Sequence, residues 1–304
     1  MRAADLEELL AEETRAWQRD LEWDFLPTAQ LVRRYVDMES LAGFALASGG
    51  RVVGYAYFVS EEHKGLVGDL YVMEAFRRED SEGRLLGAVL HALRRQCRVR
   101  RVESQLMLLE AGLERPLPEP ARLRRYERQL MVIERQRTAQ LAPRSVGKVV
   151  FQPWDPGFQD EAAYVIAAAY RGHIDGDIND QYRSVGGARR FLRNIIQFPG
   201  CGTFFGPASW LAVDADSSRL CGVCLASLVA AEVGHITQIC VVPEARGRGL
   251  GYELLRRSLT TLARAGADKV SLTVTTANRH AVALYESVGF TVRRRFAALV
   301  WEGL

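Results

Sequence analysis

The chain has 304 residues, enough for about two domains of ordinary size. Apolar residues make up 48% and charged residues 25%, a balance that allows a sizeable core and excludes a mostly disordered chain. The 40 basic and 37 acidic residues leave a formal charge of +3, which excludes a strongly basic surface for nucleic acid or an acidic membrane.

The first half is predicted to begin with helices and to continue as a sheet. Apolar residues recur at helical spacing over residues 5–19 and 28–38, and an alternating strand follows at 51–59. The next predicted elements are a strand at 66–72, a helix at 81–97, a strand at 102–108 and a polar insert at 114–120. The arginine-rich stretches 94–101 and 122–128 are interpreted as solvated helix faces.

The second half repeats this order of elements. Two predicted helices, 160–170 and 186–197, are separated by the polar loop 171–182. The remaining predicted elements are strands at 209–214, 219–229 and 235–242, a helix at 250–265, a strand at 269–275, a helix at 278–287 and a final strand to Trp301.

The two halves also align residue by residue. Placed without a gap, Asp69–Val72 falls on Gln238–Val241, and Arg77 falls on Arg246. Several matches in the same order indicate an internal duplication. The sequence therefore predicts two tandem domains, residues 1–140 and 146–304, separated by the polar stretch Gln136–Ser145.

A glycine-rich turn follows the predicted strand that ends near residue 242. Gly247, Gly249 and Gly251 remove side chains where the chain turns into a helix, so that backbone N–H groups can converge on an anion. The segment is neither the G-x-G-x-x-G fingerprint nor a P-loop, since it lacks Gly-Lys-Ser/Thr. A diphosphate site for a ligand other than NAD or ATP is the resulting prediction.

Two ordered motifs resemble those of the GNAT superfamily of acyl-CoA-dependent N-acetyltransferases. The turn Arg246-Gly-Arg-Gly-Leu-Gly251 is similar to R/Q-x-x-G-x-G/A, and Asn278 to Phe290 is similar to N-x-x-A-x-x-L-Y-x-x-x-G-F. The resemblance is strong over residues 146–304 and weak over 1–140. It implies a mixed α/β fold with two tandem GNAT-like domains, each a mostly antiparallel central sheet flanked by helices.

The resemblance also implies acetyl-CoA as co-substrate and transfer of its acetyl group to a primary amine in a ternary complex. The implied coenzyme-binding residues are Ile239, Val241, Arg246, Gly247, Arg248, Gly249, Leu250, Gly251 and Asn278. Tyr285 is implied as the general acid, because a phenol with a pKa of about 10 stays protonated at neutral pH and can donate to the departing thiolate.

The general base and the acceptor site are less sharply defined. Glu232 and His235 are both able to accept a proton near the strand before the turn, whereas Gln238 can only position water. A cationic amine is expected to be held by polar residues of the second half, which are His173, Asp175, Asp177, Asp180, Tyr182 and Gln238. The alternative is that the segment 171–182 is a plain solvated loop. The aspartate spacing lacks the remaining ligands of a calcium loop, so no metal is predicted.

The first half has lost the glycine turn. In the ungapped alignment Asp80 replaces Gly249 and Glu82 replaces Gly251, so that carboxylates would repel a diphosphate. The first domain is therefore predicted to be degenerate and structural.

The five cysteines are scattered, and the N-terminus does not read as a signal peptide, which together predict a reducing cytoplasm. The expected partner is a small-molecule amine, with no nucleic acid and no membrane. Two other functions stay open: a non-catalytic acyl-CoA sensor, and a protein or peptide N-terminal acetyltransferase.

Overall fold

A computed structural model describes the chain except for residues 1, 78–79, 111–112, 114, 199 and 201. The helices and strands are, in chain order, α1 (Glu7–Leu21), α2 (Leu26–Asp37), β1 (Gly43–Ser48), β2 (Arg51–Glu61), β3 (Lys64–Val72), α3 (Ser81–Arg95), β4 (Arg101–Gln105), β5 (Leu123–Glu134), α4 (Arg135–Thr138), β6 (Val149–Pro153), α5 (Gln159–Ala169), α6 (Ile174–Ile178), α7 (Val185–Gln197), β7 (Thr203–Phe204), β8 (Trp210–Asp214), β9 (Leu220–Ala230), β10 (Val233–Val241), α8 (Leu250–Arg264), β11 (Lys269–Thr275), α9 (Arg279–Val288) and β12 (Thr291–Glu302).

The chain divides into two compact units. Unit 1 contains residues 1–128 and 294–304, and unit 2 contains residues 129–293. The last residues of the chain belong to unit 1, because the end of β12 pairs with β4. Each unit is a mixed α/β structure with a largely antiparallel sheet and flanking helices, which confirms the predicted fold class.

In unit 1 the strand order is β1-β2-β3-β4-β12. All neighbours are antiparallel except β3 and β4, which are parallel. Leucines of the amphipathic helix α3 pack on this sheet together with Trp301, which is fully buried.

In unit 2 the strand order is β11-β10-β9-β8-β6, with β10 and β11 parallel and the other neighbours antiparallel. Leu211 packs with α5 and α7, whereas its neighbour Ala212 packs with α8. Since successive strand residues point to opposite faces, α5 and α7 cover one face of the sheet and α8 covers the other.

The two units share an unusual detail of pairing. Lys64–Val67 pairs with Arg101–Ser104 in unit 1, and Val233–Ile236 pairs with Lys269–Leu272 in unit 2. Each of β3 and β10 also pairs with an antiparallel neighbour, β2 and β9 respectively. A bulge interrupts this antiparallel pairing and leaves Gly68 of β3 and Thr237 of β10 without an opposite residue. These residues correspond in the ungapped alignment, so the duplication seen in the sequence extends to the backbone.

Several elements differ from the sequence predictions. β1, β5 and β6 were not predicted, and the arginine-rich stretch 122–128, interpreted as a solvated helix face, continues into strand β5. The expected loop 171–182 contains the short helix α6, and the expected linker 136–145 begins inside α4. Among the described residues, none of the helices has the length and apolar character needed to cross a membrane.

Candidate active site

The site is built where two parallel strands separate. β10 and β11 pair only as far as Ile236 and Leu272, although β10 continues to Val241 and β11 to Thr275. Beyond that point β10 remains paired with β9 on its other side. Within the described part of the chain, the edge of β10 after the separation is not paired with β11. We call this opening the cleft; backbone groups along it need hydrogen-bond partners from a ligand or from water.

The glycine turn lies directly after β10. Gly247 and Gly249 adopt φ angles of +76° and +83°, a region that other residues rarely occupy. A Cβ atom added to Gly247 would have no atom within 4 Å, so its outer side is open. The turn leads into the first amides of α8, which have no partner within the helix and lie at the positive end of its dipole. This arrangement suits a phosphate group.

Arg246 holds the turn against its surroundings. Its Nε donates to the carbonyl of Val241 at 3.3 Å, and its guanidinium also donates to the carbonyl of Ala169 at 2.6 Å. The side chain of Arg246 thus connects the turn with the end of β10 and with α5. The side chain of Arg248, in contrast, is exposed to solvent and free to meet a charged ligand.

The second motif forms α9 and fixes both of its ends. The side chain of Asn278 accepts a hydrogen bond from the N–H of Ala281 at 3.3 Å, and Gly289, with φ of +109°, ends the helix. Tyr285 is buried, and its ring packs against Phe290 with 5.9 Å between ring centroids. The motif therefore places a phenol in the wall of unit 2.

A group of polar residues, which we call the polar cluster, lies at the α5 and α6 side of this opening. The Tyr170 hydroxyl donates to Gln238 Oε1 at 2.9 Å, and the ring of Tyr182 stacks on that of Tyr170. His173 packs edge-on against Tyr170, and Asp175 accepts a short hydrogen bond from Thr275 at the end of β11. The polar cluster consists of Tyr170, His173, Asp175, Tyr182, Gln238 and Thr275.

Burial raises the pKa of the Tyr170 phenol well above its ordinary value, and nearby groups, Tyr285 among them, add to the effect. The hydroxyl is therefore a permanent donor at neutral pH. His173 Nδ1 accepts the N–H of Asp175 at 3.2 Å and also lies 3.6 Å from its carboxylate. The first contact uses the lone pair of Nδ1 as the acceptor.

The structure does not bring every predicted site residue into the polar cluster. Asp177 is exposed and forms an ion pair with Arg183 at 3.1 Å. Asp180 lies in the short 3-10 helix Asp180–Arg183, between the cluster and the start of α7. Asp175 is the predicted aspartate that a hydrogen bond from Thr275 joins to the polar cluster.

Neither predicted base lies at the open end of the cleft. Glu232 is exposed in the turn before β10, about 20 Å along the strand from Gln238 at ~3.3 Å per residue. His235 is buried in the paired part of the strands, with Nδ1 2.9 Å from the Ser271 hydroxyl. Direct proton transfer requires about 2.6 to 3.2 Å between heavy atoms, which a residue at the position of Glu232 cannot reach.

Sequence reasoning missed Tyr170 and Thr275. Tyr170 directly follows the last residue of α5, and its apolar neighbours make it look like an ordinary core residue. Thr275 ends β11 three residues before Asn278, and its contact with Asp175 depends on two segments that are distant in sequence. A signal for Tyr170 does exist, because its aromatic ring comes just before the acidic segment that was singled out.

The equivalent region of unit 1 is filled by its own side chains. Arg77 donates to the carbonyl of Val72 at 2.8 Å, as Arg246 does to that of Val241. Asp69, which aligns with Gln238, is buried together with Glu13. The Tyr55 hydroxyl lies within hydrogen-bond distance of both carboxyl groups, 2.8 Å from Asp69 and 3.0 Å from Glu13. Residues 78 and 79 of the predicted degenerate loop lie outside the described residues.

The remaining sequence predictions concern metals and cysteines. Among the described residues there is no group of three or more His, Cys, Asp or Glu side chains placed to hold a metal ion. Cys221 and Cys224 are buried in β9, and burial raises the pKa of Cys224 to about 12. Both are core residues of this strand.

Comparisons with known proteins identify a family for part of the chain. Residues 177–290 match the model of the acetyltransferase (GNAT) family. The mycothiol acetyltransferase of Beutenbergia cavernae is 40% identical over 90 residues, which span 29% of this chain and 30% of that protein. The mycothiol acetyltransferase of Thermobispora bispora is 28% identical over 269 residues, which span 86% of this chain and 84% of that protein.

Two solved structures have the same fold. A GCN5-related N-acetyltransferase from Sphaerobacter thermophilus has a TM-score of 0.69 at 21% identity, covering 99% of this chain and 94% of its own. A tandem GNAT protein from the clavulanic acid biosynthesis pathway has a TM-score of 0.57 at 18% identity, covering 87% and 83%. Residues 177–290 therefore carry a domain of the acetyltransferase (GNAT) family, and the chain as a whole has the fold of the solved GNAT and tandem GNAT structures.

Proposed function

We propose that the chain transfers the acetyl group of acetyl-CoA to a primary amine of a small molecule, by direct attack in a ternary complex within unit 2. The observation that carries this proposal is the early end of the β10–β11 pairing, which leaves an open backbone edge directly before the glycine turn. A linear ligand with a diphosphate at one end and a reactive group at the other fits such an arrangement.

The coenzyme would be held mainly by backbone groups. Amides of Gly247, Gly249 and Gly251 face the diphosphate in this proposal, and Arg248 adds a positive charge from solvent. The backbone of Ile239 and Val241 bonds the pantetheine arm along the edge of β10. Asn278 begins α9 and contacts the same arm, whereas Arg246 acts indirectly, by fixing the turn.

The chemistry needs two proton movements. The attacking amine loses a proton as its nitrogen forms a bond to the thioester carbon, and the thiolate gains one as the carbon–sulfur bond breaks. Tyr285 supplies the second proton from its phenol. We assign the first to His235, which lies about 10 Å along β10 from Gln238 at ~3.3 Å per residue and therefore acts through intervening hydroxyl groups or water. Glu232 is not part of this proposal.

The acceptor would be bound by the polar cluster. Asp175 carries the carboxylate nearest to the end of β11, and a protonated amine would be attracted to it before losing its proton. The relatives named mycothiol acetyltransferase, which align over most of both chains in one case, support a small-molecule acceptor.

A test follows from thiol release. Acetyl-CoA and a panel of small amines should give amine-dependent release of CoA, with the acetylated amine detected by mass spectrometry. A protein that binds acetyl-CoA but shows no turnover with any amine would be a sensor. Turnover restricted to peptides with a free N-terminus would point to a peptide N-terminal acetyltransferase instead.

A further inference from the structure

The side-chain amide of Gln238 has a fixed orientation. Its Oε1 accepts two hydrogen bonds, from the Tyr170 hydroxyl at 2.9 Å and from the backbone N–H of Ile239 at 3.2 Å. The N–H of Ile239 can only donate, and an amide nitrogen could not accept from it, so the oxygen must occupy this position. The Nε2 group consequently points away from both partners.

That nitrogen is a donor without an acceptor. Gln238 is 6% exposed, and its Nε2 has no hydrogen-bond partner among the described residues. Buried polar groups are nearly always hydrogen-bonded, because leaving one unpaired is unfavourable, and an exception calls for an explanation.

Unit 1 provides an internal comparison. Asp69 occupies the aligned position on β3, and its Oδ1 accepts the N–H of Leu70 at 2.8 Å, as Gln238 accepts that of Ile239. Its second oxygen accepts from the Tyr55 hydroxyl at 2.8 Å. In unit 1, which lacks the glycine turn, the Asp69 oxygens therefore have hydrogen-bond partners within the unit. In unit 2, the Nε2 of Gln238 has none among the described residues.

We propose that Gln238 determines acceptor specificity by donating a hydrogen bond from Nε2 to an oxygen of the acceptor, and that Tyr170 is the positioning residue that keeps this donor correctly oriented. The inference rests on the function proposed above and makes it more specific. The acceptor is then a primary amine that carries a hydrogen-bond-accepting oxygen close to its nitrogen. Because Gln238 Nε2 is not exposed to solvent in this structure, the atoms that cover it must move when the acceptor binds.

The test compares two amines of the same length, 2-methoxyethylamine and butylamine. They differ in that an ether oxygen, which only accepts hydrogen bonds, replaces one methylene group. We expect the full-length protein to favour 2-methoxyethylamine about tenfold in kcat/KM, the value of a single hydrogen bond, when kcat/KM is calculated on the concentration of unprotonated amine, because the ether oxygen also lowers the basicity of the amine. Equal values would overturn the inference while leaving the proposed function intact. No turnover with either amine would overturn both.

Variants separate this role from a structural one. Gln238→Glu keeps an oxygen for both accepted hydrogen bonds and replaces the donor by a second oxygen, so kcat/KM for 2-methoxyethylamine should fall more than kcat/KM for butylamine, and the preference should disappear. A protonated carboxyl in this first variant could itself donate a hydrogen bond, so a second variant without any donor is needed. Gln238→Leu is that variant and should also lose the preference. Tyr170→Phe should reduce the preference without changing the KM for acetyl-CoA.

Tyr164→Phe is the matched control, because Tyr164 is an exposed tyrosine of α5, the helix that Tyr170 directly follows. It should retain the full preference. If the Gln238 and Tyr170 variants lowered kcat/KM for both amines by the same factor, the pair would have only a structural role and the inference would be wrong.

Discussion

At the scale of single residues, the phenol of Tyr285 is the group most directly tied to the proposed chemistry. Its ring is fixed by burial in α9 and by its contact with Phe290. Tyr285→Phe keeps this packing and removes the proton donor. We expect kcat to fall by about 100-fold or more, the usual contribution of a general acid, with little change in acetyl-CoA affinity.

Steady-state CoA release would measure kcat, and calorimetric titration would measure the affinity for acetyl-CoA. Tyr164→Phe provides the control for loss of an exposed hydroxyl in unit 2. An unchanged kcat in Tyr285→Phe would remove Tyr285 from the mechanism.

A second residue-scale prediction concerns the buried pair Glu13 and Asp69 of unit 1. The Tyr55 hydroxyl lies 3.0 Å from one carboxyl and 2.8 Å from the other, and a phenol has a single proton to donate. At least one carboxyl must therefore be protonated. Burial, followed by the charge of Asp69, raises the pKa of Glu13 well above its ordinary value of 4.5.

The sign of the pH effect follows from this raised pKa. The folded state binds the Glu13 proton more tightly than the unfolded state, so the contribution of Glu13 is most favourable below pH 4.5 and is lost as pH rises toward the folded pKa. The loss is at most about 1.4 kcal/mol per pH unit. Glu13→Gln, which resembles the protonated form, should unfold with a weaker pH dependence.

Urea unfolding of both proteins between pH 5 and about pH 8 would measure this difference. Glu8→Gln, at an exposed position of the same helix, is the control and should behave like the original protein. Parallel pH profiles for Glu13→Gln and the original protein would show that Glu13 is ionised in the folded state.

The residues that sequence analysis identified are those whose roles depend on local pattern. Gly249, Asn278 and Tyr285 belong to motifs in which neighbours in sequence are neighbours in space. Tyr170 and Thr275 were not recognised, because their partners Gln238 and Asp175 come from other parts of the chain. Glu232 was proposed as a base on sequence proximity alone, and the length of β10 separates it from the cleft.

At the scale of elements, the junction of β10, the glycine turn and α8 is the proposed coenzyme-binding segment. Gly249→Asp reproduces the carboxylate of Asp80 in unit 1 and introduces a charge at the beginning of α8, where the diphosphate is proposed to lie. We expect acetyl-CoA affinity to fall by about 100-fold or more, because like charges repel and a side chain occupies the turn.

Gly266→Asp is the matched control. Gly266 also has a positive φ, of +103°, and an added Cβ there would have no atom within 4 Å, but it follows the other end of α8. It should bind acetyl-CoA normally. If Gly249→Asp retained affinity, the turn would not hold the coenzyme.

The elements that sequence analysis missed share a physical feature. β1 and β6 lie at the edges of the sheet, where β1 is largely exposed and β6 is half-buried, so their residues do not show the apolar alternation of a central strand. β5 begins with arginines and becomes buried only after Arg128, so that its first part resembles a charged helix face. Pairing partners, rather than local composition, make these segments strands.

At the scale of the whole molecule, the chain is a duplicated fold in which one copy keeps the open cleft. The duplication was visible in the sequence, and the shared register and bulge were not, because strand pairing cannot be read from an alignment of two halves. Assignment of residues 294–304 to unit 1 also depends on pairing between β12 and β4.

This assignment can be tested with Trp301. Its ring is fully buried in unit 1, and its indole N–H donates to the carbonyl of Pro118 at 2.9 Å. Trp301→Ala should destabilise unit 1 by about 3 to 5 kcal/mol, and backbone amides of α3 and β4 should exchange hydrogen faster than in the original protein. Val59→Ala, at an exposed position, should have little effect. Loss of protection confined to unit 2 would contradict the assignment.

Calorimetric titration of the full chain with acetyl-CoA tests the central claim most directly. If unit 2 alone holds the coenzyme, the titration should end at one acetyl-CoA per chain, and Gly249→Asp should abolish the heat. Two bound molecules per chain, or none, would contradict that account.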